Sequence, residues 1–126
     1  MEQLFFVCKK CGNLARLAVN NGAPLSCCGE EMTAVVPNTV DASKEKHVPV
    51  VTKEGNVISV SIGSVLHPMG EAHRILLVYL QTKSGGYLKR LAVDATPKVS
   101  FFVSNDDKPI AIYAYCNLHG LWMTAL

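Results

Sequence analysis

Val57-Ile58-Ser59-Val60-Ser61-Ile62 is the stretch that settles the class of fold. Ile58, Val60 and Ile62 alternate with serines, the period of a strand that turns one face to a core. Working outward, Glu54-Gly55-Asn56 reads as a turn and Val48 to Lys53 as an extended run before it. Downstream, Arg74 to Thr82 reads as a longer apolar strand, and Ser84-Gly85-Gly86 turns it into Tyr87 to Val93. Lys98 to Ser104 and Pro109 to Tyr115 read as a further pair around Asn105-Asp106-Asp107. No long amphipathic helix, internal repeat or low-complexity tract interrupts the pattern. Short strands at this spacing predict a mainly β chain folded as a sandwich or small barrel.

The chain has 126 residues, enough for one medium domain or a very small one joined to one of ordinary size. A hydrophobic fraction of 49% suits a globular protein. The formal charge of +2 gives no electrostatic reason to expect nucleic acid or an anionic membrane as partner. The start, Met1 to Cys8, lacks a basic leader, and no apolar run is long enough to span a bilayer. The expected location is the cytoplasm, where five cysteines read as metal ligands or a reactive thiol rather than disulfides.

Cysteines and histidines are segregated. Cys8, Cys11, Cys27 and Cys28 lie in the first 28 residues, whereas all four histidines follow residue 46. Residues 1–37 are therefore expected to form a small domain that needs a metal staple. Residues 38–46, polar and turn-prone, read as a linker and a loop leading into the second site. Residues 47–126 carry most of the β-branched and aromatic side chains and form the larger domain.

Cys8-Lys9-Lys10-Cys11-Gly12 is a metal knuckle: two intervening residues let a tight turn aim both sulfurs at one ion. Its partner is Cys27-Cys28-Gly29. Neighbouring side chains diverge, so adjacent ligands demand a strained turn and a distorted tetrahedron. Residue types alone leave zinc and iron both open at this site. The other soft donors are His47, His67, His73, Cys116 and His119, each in a loop or at a strand end. Singly, each histidine reads as a hydrogen-bonded structural residue. Three segments of loop histidines together with a cysteine read as one metal site. A Cys116–His119 nucleophile–base pair is the alternative; it needs an orienting third group and an oxyanion hole, and no family signature supports it.

The first motif, Cys-x-x-Cys-Gly followed by Cys-Cys-Gly, resembles desulforedoxin and the N-terminal domain of desulfoferrodoxin, over about residues 4–36. Glu45-Lys46-His47-Val48-Pro49, His67-Pro68-Met69 with His73, and Cys116-Asn117-Leu118-His119-Gly120-Leu121-Trp122 resemble the superoxide reductase family. This resemblance implies two iron ions per chain. One is bound by Cys8, Cys11, Cys27 and Cys28 as an electron relay. The other is held in a plane by His47, His67, His73 and His119, with Cys116 axial and the opposite position open. It also implies an immunoglobulin-like antiparallel β-sandwich. The implied activity is one-electron reduction of superoxide to hydrogen peroxide, with rubredoxin or a similar small carrier as donor.

Lys46, beside a ligand, is placed to attract a small anion and organise water for proton delivery. Glu45 resembles the family's mobile carboxylate, which fills the open position after oxidation. Either residue on position alone also suits a solvated surface. Gly70, Ala72 and Arg74 depart from the more acidic, bulkier or aromatic residues common in relatives, and none removes a ligand. Relatives are commonly homodimers, which exposed apolar residues such as Phe5 and Phe6 would fit. Two other functions remain compatible with the residues: an electron carrier or redox sensor without turnover, and a zinc-stapled binding module.

Overall fold

A computed structural model describes residues 4–126. The chain divides into two compact units, Met1–Val36 and Pro37–Leu126.

In the first unit, β1 (Phe5–Val7), β2 (Leu14–Arg16) and β5 (Thr33–Ala34) form a small antiparallel sheet in the order β2-β1-β5. A second hairpin joins β3 (Ser26–Cys27) to β4 (Glu30–Glu31). The Cys8–Cys11 turn thus connects β1 to β2, and the Cys27–Cys28 pair sits where β3 turns into β4. Leu4, Phe5 and Cys8 are the buried apolar residues of this unit. Phe5, at 2% exposure, is not the surface residue that its place in a small domain suggests, and Phe6 is half-buried. Phe5 therefore offers no exposed patch to a second copy.

The second unit opens with one helical turn, α1 (Lys44–His47), and continues as seven strands. One sheet runs β10-β7-β6, from β6 (Pro49–Glu54), β7 (Val57–Ile62) and β10 (Lys98–Phe102). The other runs β12-β11-β8-β9, from β8 (Ile75–Thr82), β9 (Gly85–Arg90), β11 (Pro109–Cys116) and β12 (Gly120–Ala125). Every pairing is antiparallel. Ile58, Val60 and Ile62 from β7 and Phe101 from β10 meet Ile75, Val78, Leu80, Ile112, Ala114 and Cys116 from the second sheet in one core. The serines of β7 face outward, as the alternation requires. The fold is the expected β-sandwich with a cysteine knuckle unit before it.

Two local readings change. β10 and β11 do not pair with each other: β10 pairs with β7, and β11 with β8 and β12. Val103 is pinned instead to the β6–β7 turn. Its N–H donates to Asn56 O at 2.8 Å, and the Asn56 carboxamide donates to Val103 O at 2.6 Å. The Asn105–Asp107 turn therefore crosses between sheets. The residues after His119 form β12, a strand absent from the pattern reading. Gly120, at φ +75°, closes a tight hairpin that pairs Cys116 with Gly120. Within the expected linker, Asn38 is docked on β12. Its side chain exchanges bonds with Met123 N (2.8 Å) and Met123 O (3.1 Å).

Candidate metal centres

The four cysteines of the first unit converge, with their sulfurs within 4.8 Å of one another. Cys11 Sγ lies 3.6 Å from Cys27 Sγ, and Cys27 Sγ 3.9 Å from Cys28 Sγ. Tetrahedral thiolates at about 2.3 Å from a metal lie about 3.8 Å apart, so these spacings suit one ion. The strain expected of adjacent ligands sits at Cys28, whose φ of +53° is left-handed. Such a conformation costs a non-glycine residue on the order of 1–3 kcal/mol. Gly12 (φ +82°) and Gly29 (φ +75°) carry the same backbone sense after each pair without that cost.

Hydrogen bonds divide the sulfurs. Cys11 N–H donates to Cys8 Sγ at 3.5 Å, and the Asn13 carboxamide to Cys27 Sγ at 3.8 Å. The Cys11 N–H pulls the Cys8 thiol down to about 6. Cys11 and Cys8, sharing protons with Cys28, push its thiol up to about 12. Four sulfurs this close ionise together only around a cation.

At one end of the sandwich, a helical turn, a loop and a hairpin bring the histidines together. His47 ends α1 and immediately precedes β6. His67 and His73 lie on the β7–β8 connection, and Cys116 and His119 flank the β11–β12 turn. Neighbouring ring centroids are 4.6 Å apart for His47–His67 and His67–His73, 5.0 Å for His73–His119 and 4.9 Å for His47–His119. His47 and His73 are 6.2 Å apart, near the diagonal of a square with such sides. Adjacent rings stand nearly perpendicular, at 77–86°. The four imidazoles therefore form a closed ring around one point.

Two of the four rings are oriented from outside. His47 Nδ1 donates to Ser43 O at 2.6 Å, and His67 Nδ1 to Pro68 O at 2.7 Å. Each bond fixes the tautomer and leaves an Nε2 lone pair facing inward. Those lone pairs face each other at 3.2 Å, and His119 Nδ1 lies 3.1 Å from His47 Nε2. Two nitrogens bound at right angles to a metal at about 2.1 Å lie about 3.0 Å apart. His73 Nε2 is buried with no hydrogen-bond partner. Facing lone pairs and an orphaned buried nitrogen are unfavourable without a cation between them.

Cys116 Sγ, fully buried and 3.9 Å from His119 Nδ1, adds the one sulfur donor. His47, His67, His73 and Cys116 offer donor atoms within 4.8 Å of one another. Burial, foremost, pushes His67 down to about 4 and lowers His47 and His73, keeping the rings neutral and their lone pairs free.

Glu45 and Lys46 stand exposed on α1, outside the donor cluster. The charge of Lys46 is nevertheless felt by both His47 and His73, whose protonation it disfavours. Gly63 makes α1 fit. At φ +84°, a Cβ there would collide with Val65 O and lie 2.6 Å from Glu45 O. The pattern reading passed over Trp122, Asn117 and Gly63 as functional supports. Trp122 stacks on His47 at 4.9 Å and donates its indole N–H to His119 O at 3.1 Å.

Two such donor sets define a protein with two mononuclear metal sites per chain, and the family match that follows makes both of them iron sites. The chain belongs to the desulfoferrodoxin family, whose model, described as Desulfoferrodoxin, matches residues 39–125. The desulfoferrodoxin of Clostridium acetobutylicum is 42% identical over 117 residues, 93% of this chain and 91% of that protein. That of Syntrophotalea carbinolica is 40% identical over the same share of each chain. Among solved structures, the superoxide reductase from Treponema pallidum aligns with a TM-score of 0.81 at 41% identity. It covers 98% of this chain and 99% of that one. A superoxide reductase from Giardia intestinalis, described as 1Fe, aligns with a TM-score of 0.52 at 34% identity. It covers 66% of this chain and 98% of that one.

Proposed function

We propose that the chain is a superoxide reductase: superoxide takes up one electron and two protons and leaves as hydrogen peroxide, with no oxygen released. The observation that carries this is the closed ring of four imidazoles with a buried thiol beside it. Iron held there supplies the electron and an accessible position for a small anion.

The ligands are assigned as His47, His67 and His73 through Nε2, His119 through Nδ1, and Cys116 through Sγ. Neutral imidazoles add no charge to the site. As a thiolate on that iron, Cys116 would add one negative charge and electron density. Lys46 draws the anion in and orders water for proton delivery, and Glu45 is the carboxylate that would bind the oxidised iron and displace product. Cys8, Cys11, Cys27 and Cys28 hold the second iron as an electron relay.

The functional division follows as a relay domain over residues 1–37, a connecting segment over 38–46 and a catalytic domain over 47–126. The donor is rubredoxin or a similar small carrier, the compartment is the cytoplasm, and the assembly is a homodimer. No described helix is long and apolar enough to cross a membrane.

The test is rapid mixing of the reduced iron-loaded protein with superoxide, with peroxide and oxygen both measured. A reductase yields one peroxide per superoxide and no oxygen. A dismutase yields half as much peroxide, and a closed electron carrier or zinc module none by direct reaction. Cys116→Ser should lose both the thiolate-to-iron absorption and the reaction. A variant that keeps both removes Cys116 from the ligand set.

A further inference from the structure

We propose that Asn117 is the positioning residue for His73, clamping the loop that carries this imidazole onto the Cys116 turn. The inference rests on the proposed ligand roles of His73 and Cys116. Asn117 follows Cys116 directly, and its carboxamide spans His73 from both sides. Oδ1 accepts from Arg74 N at 2.9 Å, and Nδ2 donates to Ala72 O at 3.0 Å. Its own N–H donates to Arg74 O at 3.2 Å. The residues before and after His73 are thereby both tied to the residue after Cys116.

His73 needs this more than His47 and His67 do. His47 and His67 are oriented through their rings, by Ser43 O and Pro68 O. The ring of His73 makes no hydrogen bond among the described residues, and its Nε2 is an orphan. Its loop is closed locally by two further bonds, Gly70 N–H to His73 O at 3.1 Å and Ile75 N–H to Met69 Sδ at 3.4 Å. The direction of this imidazole is therefore set by its backbone, and that backbone is set by Asn117. A ligand whose orienting partner is lost typically weakens metal binding by about 10–100-fold.

Asparagine is the side chain this clamp demands, because it must accept from one amide and donate to a carbonyl two residues away. Aspartate keeps the bond to Arg74 N but loses the donor to Ala72 O. Alanine loses both. Asn56 provides a control. It also bridges two segments, donating to Val103 O at 2.6 Å and Asn105 Oδ1 at 2.7 Å, but at the β6–β7 turn, the opposite end of those strands from His47 and His67.

The experiment compares full-length iron-loaded parent, Asn117→Ala, Asn117→Asp and Asn56→Ala. It reads the ferric spectrum of the histidine–cysteine site and the rate of iron loss to a chelator. The absorption of the four-cysteine iron serves as internal reference. Asn117→Ala should shift the spectrum and release iron at least about tenfold faster, and Asn117→Asp should fall between it and the parent. Asn56→Ala should lower the melting temperature and leave spectrum and release unchanged. Parent-like spectrum and release in Asn117→Ala overturn the proposal. So does an equal shift in Asn56→Ala, which would make the effect one of general stability. If Asn117→Ala does not fold, Asn117→Asp decides by the same two readouts. Both readouts concern bound iron and not turnover. A parent that binds iron but leaves superoxide unreduced would sink the proposed function, while the variants still decide the role of Asn117.

Discussion

Trp122 lies stacked on His47, with ring centroids 4.9 Å apart and planes 30° from parallel. It is fully buried, and its indole N–H reaches the carbonyl of His119. One side chain thus backs one imidazole of the ring and ties down the backbone of its neighbour. Trp122→Phe keeps a ring under His47 but removes the N–H, at a cost of about 1 kcal/mol. Trp122→Ala also opens a cavity, at about 3–5 kcal/mol. The expectation is near-parent iron content in the phenylalanine variant and loss of the second iron in the alanine variant. Metal analysis alongside thermal melts checks this, and full iron content in Trp122→Ala would refute the supporting role.

The β character was legible because β7 alternates so cleanly, and the nine soft donors because histidine and cysteine are scarce enough for every one to count. β12 was not legible. Leu121 and Trp122 are buried in succession, so the strand shows no alternation, and its sequence reads as the tail of a ligand motif. The β10–β11 pairing misled because a turn is a local signal, whereas a sandwich strand chooses its partner through the core. Asn117 looked like turn filler. Its meaning comes from Ala72 and Arg74, more than forty residues away, and no local pattern carries that.

Gly63 should tolerate no side chain. Its φ of +84° is left-handed, and a Cβ would lie against Val65 O, 2.6 Å from Glu45 O and 2.7 Å from the Lys46 carbonyl carbon. The Glu45 and Lys46 atoms belong to the turn that delivers Lys46 and His47, so relief of the clash there displaces a ligand. The backbone strain alone costs on the order of 1–3 kcal/mol. Gly63→Ala should melt earlier and retain less iron at the histidine site, with the four-cysteine chromophore unaffected. Equal iron at both sites would show that the α1 turn adapts freely.

The iron-free chain should weaken on mild acidification. Burial holds His67 at about 4 and depresses His47 and His73 below their ordinary value near 6.5. Across that window the unfolded chain binds more protons than the folded one, so stability rises with pH. It is fully present above about 6.5 and is lost as pH falls toward 4. Denaturant titrations of metal-free protein at several pH values between these limits measure the slope. His67→Gln should flatten it, and an unchanged slope would assign the acid sensitivity to other groups.

Lys46 is exposed, adjoins His47 and has no ion-pair partner among the described residues. Its charge is therefore available to an approaching anion, and it already disfavours protonation of His47 and His73. A single charge several ångströms from the reacting position, in water, changes the local anion concentration by about threefold to tenfold. Lys46→Ala should slow the reaction with superoxide by about that factor at low ionic strength and leave iron content intact. The deficit should shrink as salt rises, because a Debye length of about 8–10 Å at physiological ionic strength already screens the approach. Lys46→Arg should restore most of the rate, since the charge matters for steering more than the group that carries it. Rapid mixing with superoxide at several salt concentrations separates this from a role in proton delivery. If lysine acts as the proton relay, the alanine deficit persists at high salt and arginine does not rescue it. If Lys46→Ala matches the parent at every ionic strength, neither role stands, and Arg74, next to His73, becomes the residue to replace.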